Sequence, residues 1–325
     1  FGQTFDVWGH RFFSQAGQHV NHVVMARRYL QRNPFLTAPK VSLHISQHDQ
    51  RVFQLTPPEA WRETRTRMRQ RRYKEIGMER ELQSTGFFTG ATGATVYTGD
   101  TFPEAYRSNL FTGEVAGNLV HRDIVSSEGV TFTAKRPPEE QDKEFLASTH
   151  RWFRPANLTV GPDGNLYVVD ICREFVETPA SIPEPIKNGK NFFSGTDLGR
   201  IYRIVPKDHP SGSMTWPALH QAETSKLVEN LSHPNQWWRL TSQRLLLERQ
   251  DPSALPLLKE MVVRRASPLA RLHALYALEG ASALDASLIS LALKDSEAGV
   301  REHAIILAED FPELLPKLTA LVKDP

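Results

Sequence analysis

Residues 157–171, NLTVGPDGNLYVVDI, carry the clearest strand–turn–strand signal in this 325-residue chain. Pro162 fixes its own φ and Gly164 can adopt a positive φ, so the segment between them predicts a tight turn. Apolar residues two positions apart lie on one face of a strand. Such pairs flank the turn on both sides: Leu158 with Val160, and Leu166 with Val168. The stretch therefore predicts an antiparallel hairpin with one apolar face.

Short apolar or aromatic runs of the same kind recur along residues 1–206. Two of them, NLVHRDIV (118–125) and VTFTAKR (130–136), flank Ser126–Gly129 and predict a second hairpin. Many short strands bounded by turns, without helices between them, favour an all-β barrel, sandwich or propeller. The other runs are FDVWGHRFFS (5–14), VNHVVMARRYL (20–30), ATVYTGD (94–100) and RIYRIVP (200–206).

The periodicity becomes helical after a Pro-, Ser- and Gly-containing linker at 207–217. Apolar residues in 218–325 recur at the i, i+3, i+7 or i, i+4, i+7 spacing of one helix face. Three segments also align on an arginine, with about 30 residues between neighbours: 234–246 on Arg239, 267–278 on Arg271 and 296–307 on Arg301. A repeat of this length that carries two helices predicts an α-solenoid.

Composition narrows the class of protein. The chain has 39 basic and 37 acidic residues, a net charge of +2, which gives no general case for nucleic-acid binding. No stretch approaches the roughly 18 consecutive apolar residues of a spanning helix, so no transmembrane segment is predicted. Cys172 is the single cysteine. It excludes an intrachain disulfide and a Cys-x-x-Cys-His haem attachment within this sequence.

A basic segment, 59–82, interrupts the β-rich half. Residues 62–74 contain seven basic side chains and one acidic residue, Glu63. Such a run is usually a solvated helix or loop between strands. The alternative is a docking surface for an acidic partner.

Polar residues at strand ends are the candidate ligand-binding groups, because propellers bind ligands near the loops over their channel. Arg154, Asn157, Asp170 and Arg173 flank the 157–171 hairpin. A carboxylate and a guanidinium at a strand end can pair with each other or clamp an anionic ligand. We therefore assign these four residues to cofactor binding, with salt bridges that hold the turn as the alternative. His121, in the middle of a predicted strand, is the candidate general base, and a hydrogen-bonded core histidine is its alternative.

Histidines are concentrated near the start of the sequence, where five of the twelve fall within residues 1–48. His19 and His22 would share one face of a helix and could bind a metal there. In a strand, however, a spacing of three places them on opposite faces. We therefore expect ordinary polar positions and assign no residue to a metal.

Several ordered blocks resemble a known family. They are FGQTFDVWGHRFF (1–13), HVVMARRYLQRNP (22–34), 93–122, 144–177 and LGRIYRIVP (198–206), followed by WWRLTSQRLLLER (237–249), PLARLHALYALEG (268–280) and VREHA (300–304). Together they resemble the bacterial membrane-bound dehydrogenase family, whose β-propeller is similar to quinoprotein glucose and sorbosone dehydrogenases. HEAT repeats follow that propeller, often with a cytochrome c module.

The resemblance implies a fold that is all-β and then all-α. About half of a six-bladed β-propeller would occupy 1–206, and HEAT-type repeats would occupy 218–325. Because residues 1–206 supply only about half a ring at ~40–45 residues per blade, we expect another polypeptide, or a further segment of this one, to complete the propeller.

The resemblance also implies an exported, periplasmic or envelope-associated protein. Its activity would be oxidation of a sugar or alcohol by pyrroloquinoline quinone, with electrons passing to a cytochrome c. Any haem c would reside on a further module or a partner, since this sequence lacks the attachment motif. The alternative is a non-catalytic scaffold within a larger redox or cell-envelope assembly.

Overall fold

A computed structural model of the chain describes residues 2–37, 40–79, 82–208, 217–264 and 267–323. Most of the predicted linker at 207–217 lies outside these residues. The chain forms two compact units. The first contains the described residues up to 208, except for 98–100 and 162–164, and the second contains those two short segments and the described residues from 217 onward. In the described residues, no helix is long and apolar enough to cross a membrane.

The first unit contains three mostly antiparallel sheets, and the second unit is helical. The predicted presence of both β- and α-structure is therefore confirmed. The first sheet has the order β1-β2-β3-β4, with strands Gln3–Phe5, Arg11–Gln15, Gln18–Val23 and Ser42–His44. A short helix, α1 (Arg27–Leu30), lies between its last two strands. β3 is buried over four consecutive positions, from His19 to His22, so both of its faces lie against protein.

The second sheet runs β5-β6-β7-β8, and β9 also pairs with β7. Its strands are Ala91–Val96, Leu110–Glu114, Leu119–Glu128, Thr131–Lys135 and Leu146–Ala147. The predicted hairpin is present but tighter than expected, because β7 continues through Glu128, which pairs with Thr131. Gly129, at φ 58°, begins the two-residue turn. Glycine adopts this left-handed conformation at little steric cost.

The third sheet contains β10 (Pro155–Val160), β11 (Leu166–Asp170) and β12 (Arg200–Ile204), in that order. Leu158 pairs with Val168 in register. Both side chains are buried, as is Leu166. The predicted apolar face of this hairpin is therefore confirmed. It joins one hydrophobic core with Tyr97, Phe102, Phe111, Val120 and Phe153.

One longer helix, α2 (Ala60–Glu75), lies within the basic segment. Its first half carries the buried arginines Arg62 and Arg65, and most side chains from Arg67 onward are exposed. The segment predicted as a basic excursion is thus a helix with one anchored half.

The second unit is helical. Its helices are α3 (Thr224–Asn230), α4 (Gln236–Arg249), α5 (Ala254–Val263), α6 (Pro268–Gly280), α7 (Ala286–Ala292), α8 (Ala298–Leu307) and α9 (Leu315–Ala320). Sequential pairs α3–α4, α5–α6 and α7–α8 pack together, and α3–α5–α7 and α4–α6–α8 also pack as successive neighbours. Arg239, Arg271 and Arg301 are each the fourth residue of a helix, in α4, α6 and α8. The alignment of the three segments therefore corresponds to equivalent helix positions.

His273 occupies the core of the second unit and is 5% exposed. Its Nε2 faces the Arg239 Nε at 3.3 Å, so this nitrogen accepts the hydrogen bond and the ring is neutral. Burial, together with the charge of Arg239, lowers the pKa of His273 to about 3. A histidine in the unfolded chain titrates near 6.5. Protons therefore bind the unfolded state preferentially between these two values, and acid destabilises the folded unit in that window.

We predict that His273→Gln weakens this acid sensitivity. Between pH 7.5 and pH 5, the wild-type chain should lose about 2 kcal/mol of unfolding free energy through His273 alone. The variant should lack that part of the loss, because glutamine does not titrate. Urea unfolding of the full chain, followed by helical circular dichroism at both pH values, measures the difference. Equal losses in the two proteins would contradict the assignment.

Candidate metal centre

Three histidines surround one buried carboxylate in the first unit. The Asp123 carboxylate lies 2.8 Å from His19 Nε2, through Oδ2. Through Oδ1 it lies 2.9 Å from His48 Nε2 and 3.3 Å from His121 Nε2. The side chains of His19, His121 and Asp123 are fully buried, and that of His48 is 17% exposed. We call these four residues the His3Asp cluster.

Strand geometry places two of the four residues. His121 and Asp123 are two positions apart on β7, so their side chains extend from the same face. His19 lies at the start of β3, in the neighbouring sheet. The Thr112 hydroxyl on β6 donates to the backbone carbonyl of His19 at 3.3 Å. This bond joins the two sheets beside the cluster.

Backbone pairing places the fourth residue, His48, which lies in the loop after β4. Ala134 on β8 donates to the carbonyl of Ile45 and accepts from the amide of Gln47. These two bonds hold the chain before His48 against β8, so His48 lies close to the neighbouring strand, β7. On the other side of His48, the Gln50 carbonyl accepts from the amide of Phe88. The loop is thus tied at both ends.

Each histidine is oriented by an oxygen acceptor at Nδ1. Glu144 Oε2 lies 2.8 Å from His121 Nδ1, and the backbone carbonyl of Asp49 lies 2.6 Å from His48 Nδ1. Gln50 Oε1 lies 2.9 Å from His19 Nδ1, while the Gln50 amide nitrogen faces His44. Oxygen acceptors at Nδ1 require the proton there. In the neutral tautomer, each Nε2 then directs its lone pair toward the centre of the cluster.

This arrangement brings four acceptors together. Three unprotonated Nε2 atoms and a carboxylate repel one another unless a cation or additional protons lie between them. His121 Nε2 makes no well-aligned hydrogen bond. This nitrogen holds a proton while the ring is charged, and it would present a lone pair to an ion that displaces that proton. An oxygen or nitrogen acceptor holding the far side of a histidine is also the usual outer shell of a metal ligand.

The pKa values of the cluster residues also indicate that Asp123 is stabilised by neighbouring positive charge. Burial would raise the pKa of Asp123, but His121 and His19 outweigh it and hold this pKa well below its usual range. Burial would lower the pKa of His121, yet the Asp123 and Glu144 carboxylates raise it to about 9. For His19 burial prevails, and its pKa lies below the ordinary value. The carboxylate is therefore ionised and attracts cations.

The dimensions of the cluster suit a small ion. The three imidazole centroids form a nearly equilateral triangle, with sides of 5.0, 5.1 and 5.2 Å. All four ligand atoms lie within 4.8 Å of one another. A tetrahedral ion with bonds of about 2.0–2.1 Å separates its ligand atoms by about 3.3 Å. The residues therefore fit such an ion with shifts of about an ångström or less.

Aromatic packing covers one side of the cluster. The Phe88 ring stacks on His19 at a centroid distance of 4.4 Å and an interplanar angle of 11°. It also meets the edge of His121 at 5.4 Å. A low-dielectric wall of this kind strengthens the electrostatic interactions within the cluster.

A family model, the domain of unknown function DUF7133, matches residues 1–208, which is well over half of the chain. The chain belongs to the DUF7133 family. No curated protein and no solved structure matches it. The DUF7133 region contains the three sheets, α2 and all four residues of the His3Asp cluster.

Among the described residues of the DUF7133 region, the four residues assigned to cofactor binding make no hydrogen bond or ion pair with the His3Asp cluster. Arg154 is 1% exposed. Its guanidinium donates to the carbonyls of Val115, Arg173 and Glu174 and to the Glu59 carboxylate, at 2.7–2.9 Å. These contacts use Nε and both Nη atoms for holding the surrounding loops.

The other three assigned residues also make contacts within the protein. The Asp170 carboxylate accepts from the amides of Arg154 and Cys172, both at 2.7 Å. Arg173 donates to the Phe192 carbonyl, and Asn157 accepts from the Leu158 amide, both at 2.9 Å. A cofactor role for these residues stays a prediction.

His121, the predicted general base, lies in the cluster, but its proximity to His19 and His48 was not predicted. His22 lies away from the cluster, packed on Phe12 and Phe132. The useful local signal was the pair His121 and Asp123, two residues apart on one strand. His19 and His48 could not be connected with this pair from the sequence, because they lie 104 and 75 residues from Asp123.

We predict that Glu144→Gln weakens metal binding at the cluster by about 10- to 100-fold, as loss of a partner that orients a histidine ligand usually does. The amide is a poorer acceptor for His121 Nδ1–H and can present its nitrogen instead. Competition titration of the full chain with Zn2+ and a chromophoric chelator measures this change. Glu139→Gln is the matched control, since Glu139 pairs with Arg122 and is 60% exposed. Unchanged affinity in Glu144→Gln, or an equal loss in the control, would contradict the role.

Proposed function

We propose that the DUF7133 region is a metal-binding domain that holds one divalent transition ion on His19, His48, His121 and Asp123. One observation carries the proposal: three Nε2 atoms face one buried carboxylate, while each Nδ1 is engaged by an oxygen. This is the arrangement of ligand and outer-shell groups that orients histidines for a metal.

The donor set favours Zn2+. Three imidazole nitrogens and one carboxylate suit zinc, whereas Mg2+ and Ca2+ prefer sets composed of oxygen atoms. Four protein ligands also fill a tetrahedral shell. Zinc sites of that kind are usually structural, and catalytic ones keep a position for water or substrate. The proposed role is therefore stabilisation of the domain.

The connectivity supports this role. The ligands come from β3, from the loop after β4 and from β7, so an ion would join two sheets and a loop through a single centre. Ion binding contributes to folding free energy whenever the unfolded chain lacks the assembled site. An ion present at 100 times its Kd would add about 2.7 kcal/mol.

We further propose the finer architecture implied by the sequence. The packing of β5 against both β1 and β10 supports successive blades of a propeller. The alternating packing of α3 to α8 supports a HEAT-type solenoid. The sugar or alcohol dehydrogenase activity, its quinone, the cytochrome c partner and the periplasmic location stay predictions that follow from the resemblance alone.

Metal binding is tested by titration of the metal-free full chain. We expect one Zn2+ per chain and a rise in thermal stability that a chelator reverses. His121→Ala and Asp123→Asn should each weaken binding by more than 100-fold, because each removes or neutralises a ligand. Co2+ should bind in place of Zn2+ and give the intense visible bands of a tetrahedral ion.

His150→Ala is the matched control, since His150 is exposed and lies outside the His3Asp cluster. It should bind like the wild type. Circular dichroism of each variant separates loss of a ligand from loss of the fold. If the wild-type chain takes up no stoichiometric ion, or if Asp123→Asn binds as tightly as His150→Ala, the proposal is wrong.

A further inference from the structure

The second half of α2 presents a dense positive surface. The helix contains seven basic and two acidic residues. Five of the basic side chains are exposed and lie within eight consecutive positions: Arg67, Arg69, Arg71, Arg72 and Lys74. With 3.6 residues per turn, Arg67, Arg71 and Lys74 lie on one side of the helix, and Arg69 and Arg72 lie toward the other. We call these five exposed residues the basic face. At 1.5 Å of rise per residue, the basic face spans about 10 Å.

The first half of α2 fixes where the basic face points. Arg62 and Arg65 both pair with the largely buried Glu177, and Arg62 also donates to Thr89, two residues before β5. The Trp61 ring packs on Phe175 at 5.5 Å. The helix is therefore held by buried contacts along one side. The exposed cations are therefore carried on a helix whose position is fixed before any partner binds.

The described part of the chain does not neutralise the basic face. None of its five cations forms an ion pair there: Arg67 donates to the Thr64 hydroxyl and Arg69 to the Ser181 carbonyl, which are both neutral. Arg67 and Arg71 are four residues apart, a spacing at which like charges destabilise a helix. The five cations therefore have no anionic partner within the described residues. This is the expected property of a surface that meets an anionic partner.

We propose that the basic face docks an acidic segment of another protein, rich in Asp and Glu. Arginine forks bind carboxylates in bidentate fashion, and four of the five cations are arginines. A membrane is less suited, because surface-lying helices bury a continuous apolar stripe and Met68 is the one aliphatic residue among positions 67–74. A duplex is also less suited, since nucleic-acid domains carry more extended basic surfaces than 10 Å and this chain has a net charge of +2.

The test measures binding of the full chain to a fluorescent 12-residue Asp/Glu peptide. We expect affinity to fall as NaCl rises from 50 to 300 mM, because the contact is electrostatic. Arg71→Gln, Arg72→Gln and Lys74→Gln together should weaken binding by about tenfold or more, since three charge pairs are lost. The control neutralises three dispersed exposed lysines: Lys40→Gln, Lys135→Gln and Lys207→Gln. It changes net charge equally and should retain most of the affinity.

Three results would overturn the proposal. The first is equal weakening in the two triple variants, which would mean that net charge alone attracts the peptide. The second is tighter binding, through the basic face, to phosphatidylserine vesicles or to duplex DNA than to the peptide. The third is no salt-dependent binding to the peptide at all. Because the basic face shares no residue with the His3Asp cluster, none of these results bears on the metal site.

Discussion

The ionised carboxylate of Asp123, fully buried between two sheets, is the constraint on which the first unit depends. A carboxylate removed from water is costly unless positive charge and hydrogen-bond donors replace its hydration. Three imidazoles surround it, and two of them, His19 and His121, are themselves fully buried. The replacement comes from protons on their Nε2 atoms or, in the proposed metal-bound form, from the ion. Once the carboxylate is fixed, the positions of the three rings follow from it.

A second buried carboxylate, that of Glu144, connects the cluster to the surrounding loops. Glu144 holds His121 through one oxygen and accepts from the Phe53 amide and Arg136 through the other. Arg136 also donates to the carbonyls of Arg51, Glu140 and Lys143. The loop that carries His48 and the segment before β9 are thus joined through one chain of polar contacts. Such a network is most stable when every member is satisfied, and the proposed cation would also engage His121 Nε2.

Turns and helix positions could be predicted from the sequence where they depend on residues that are close together along the chain. The hairpin around Pro162–Gly164 and the alignment of Arg239, Arg271 and Arg301 depend on turn chemistry and helix periodicity over short spans. The extent of β7 was underestimated, because the Ser126–Gly129 segment resembles a four-residue turn. In the structure its first three residues pair with β8.

The cluster could not be predicted in the same way, because its members meet only through tertiary pairing. The bridge that brings His48 beside β7 depends on Ser46 pairing with Ala134, a contact that no local pattern encodes. The position of Arg154 at a strand end suggested ligand binding, which stays a prediction. The acceptors that hold its guanidinium come from three segments, at Glu59, Val115 and Arg173–Glu174. A polar residue at a strand end is expected to have a hydrogen-bonding partner, but the identity of that partner depends on the tertiary structure.

X-ray absorption at the zinc edge of the metal-loaded chain shows whether the three histidines and Asp123 hold the ion. We expect four nitrogen or oxygen neighbours at about 2.0–2.1 Å, with outer-shell scattering from three imidazoles. Asp123→Asn should lower the occupancy or alter this shell. A shell of six oxygen atoms, or scattering from no more than one imidazole, would show that the three histidines do not hold the ion and would contradict the account.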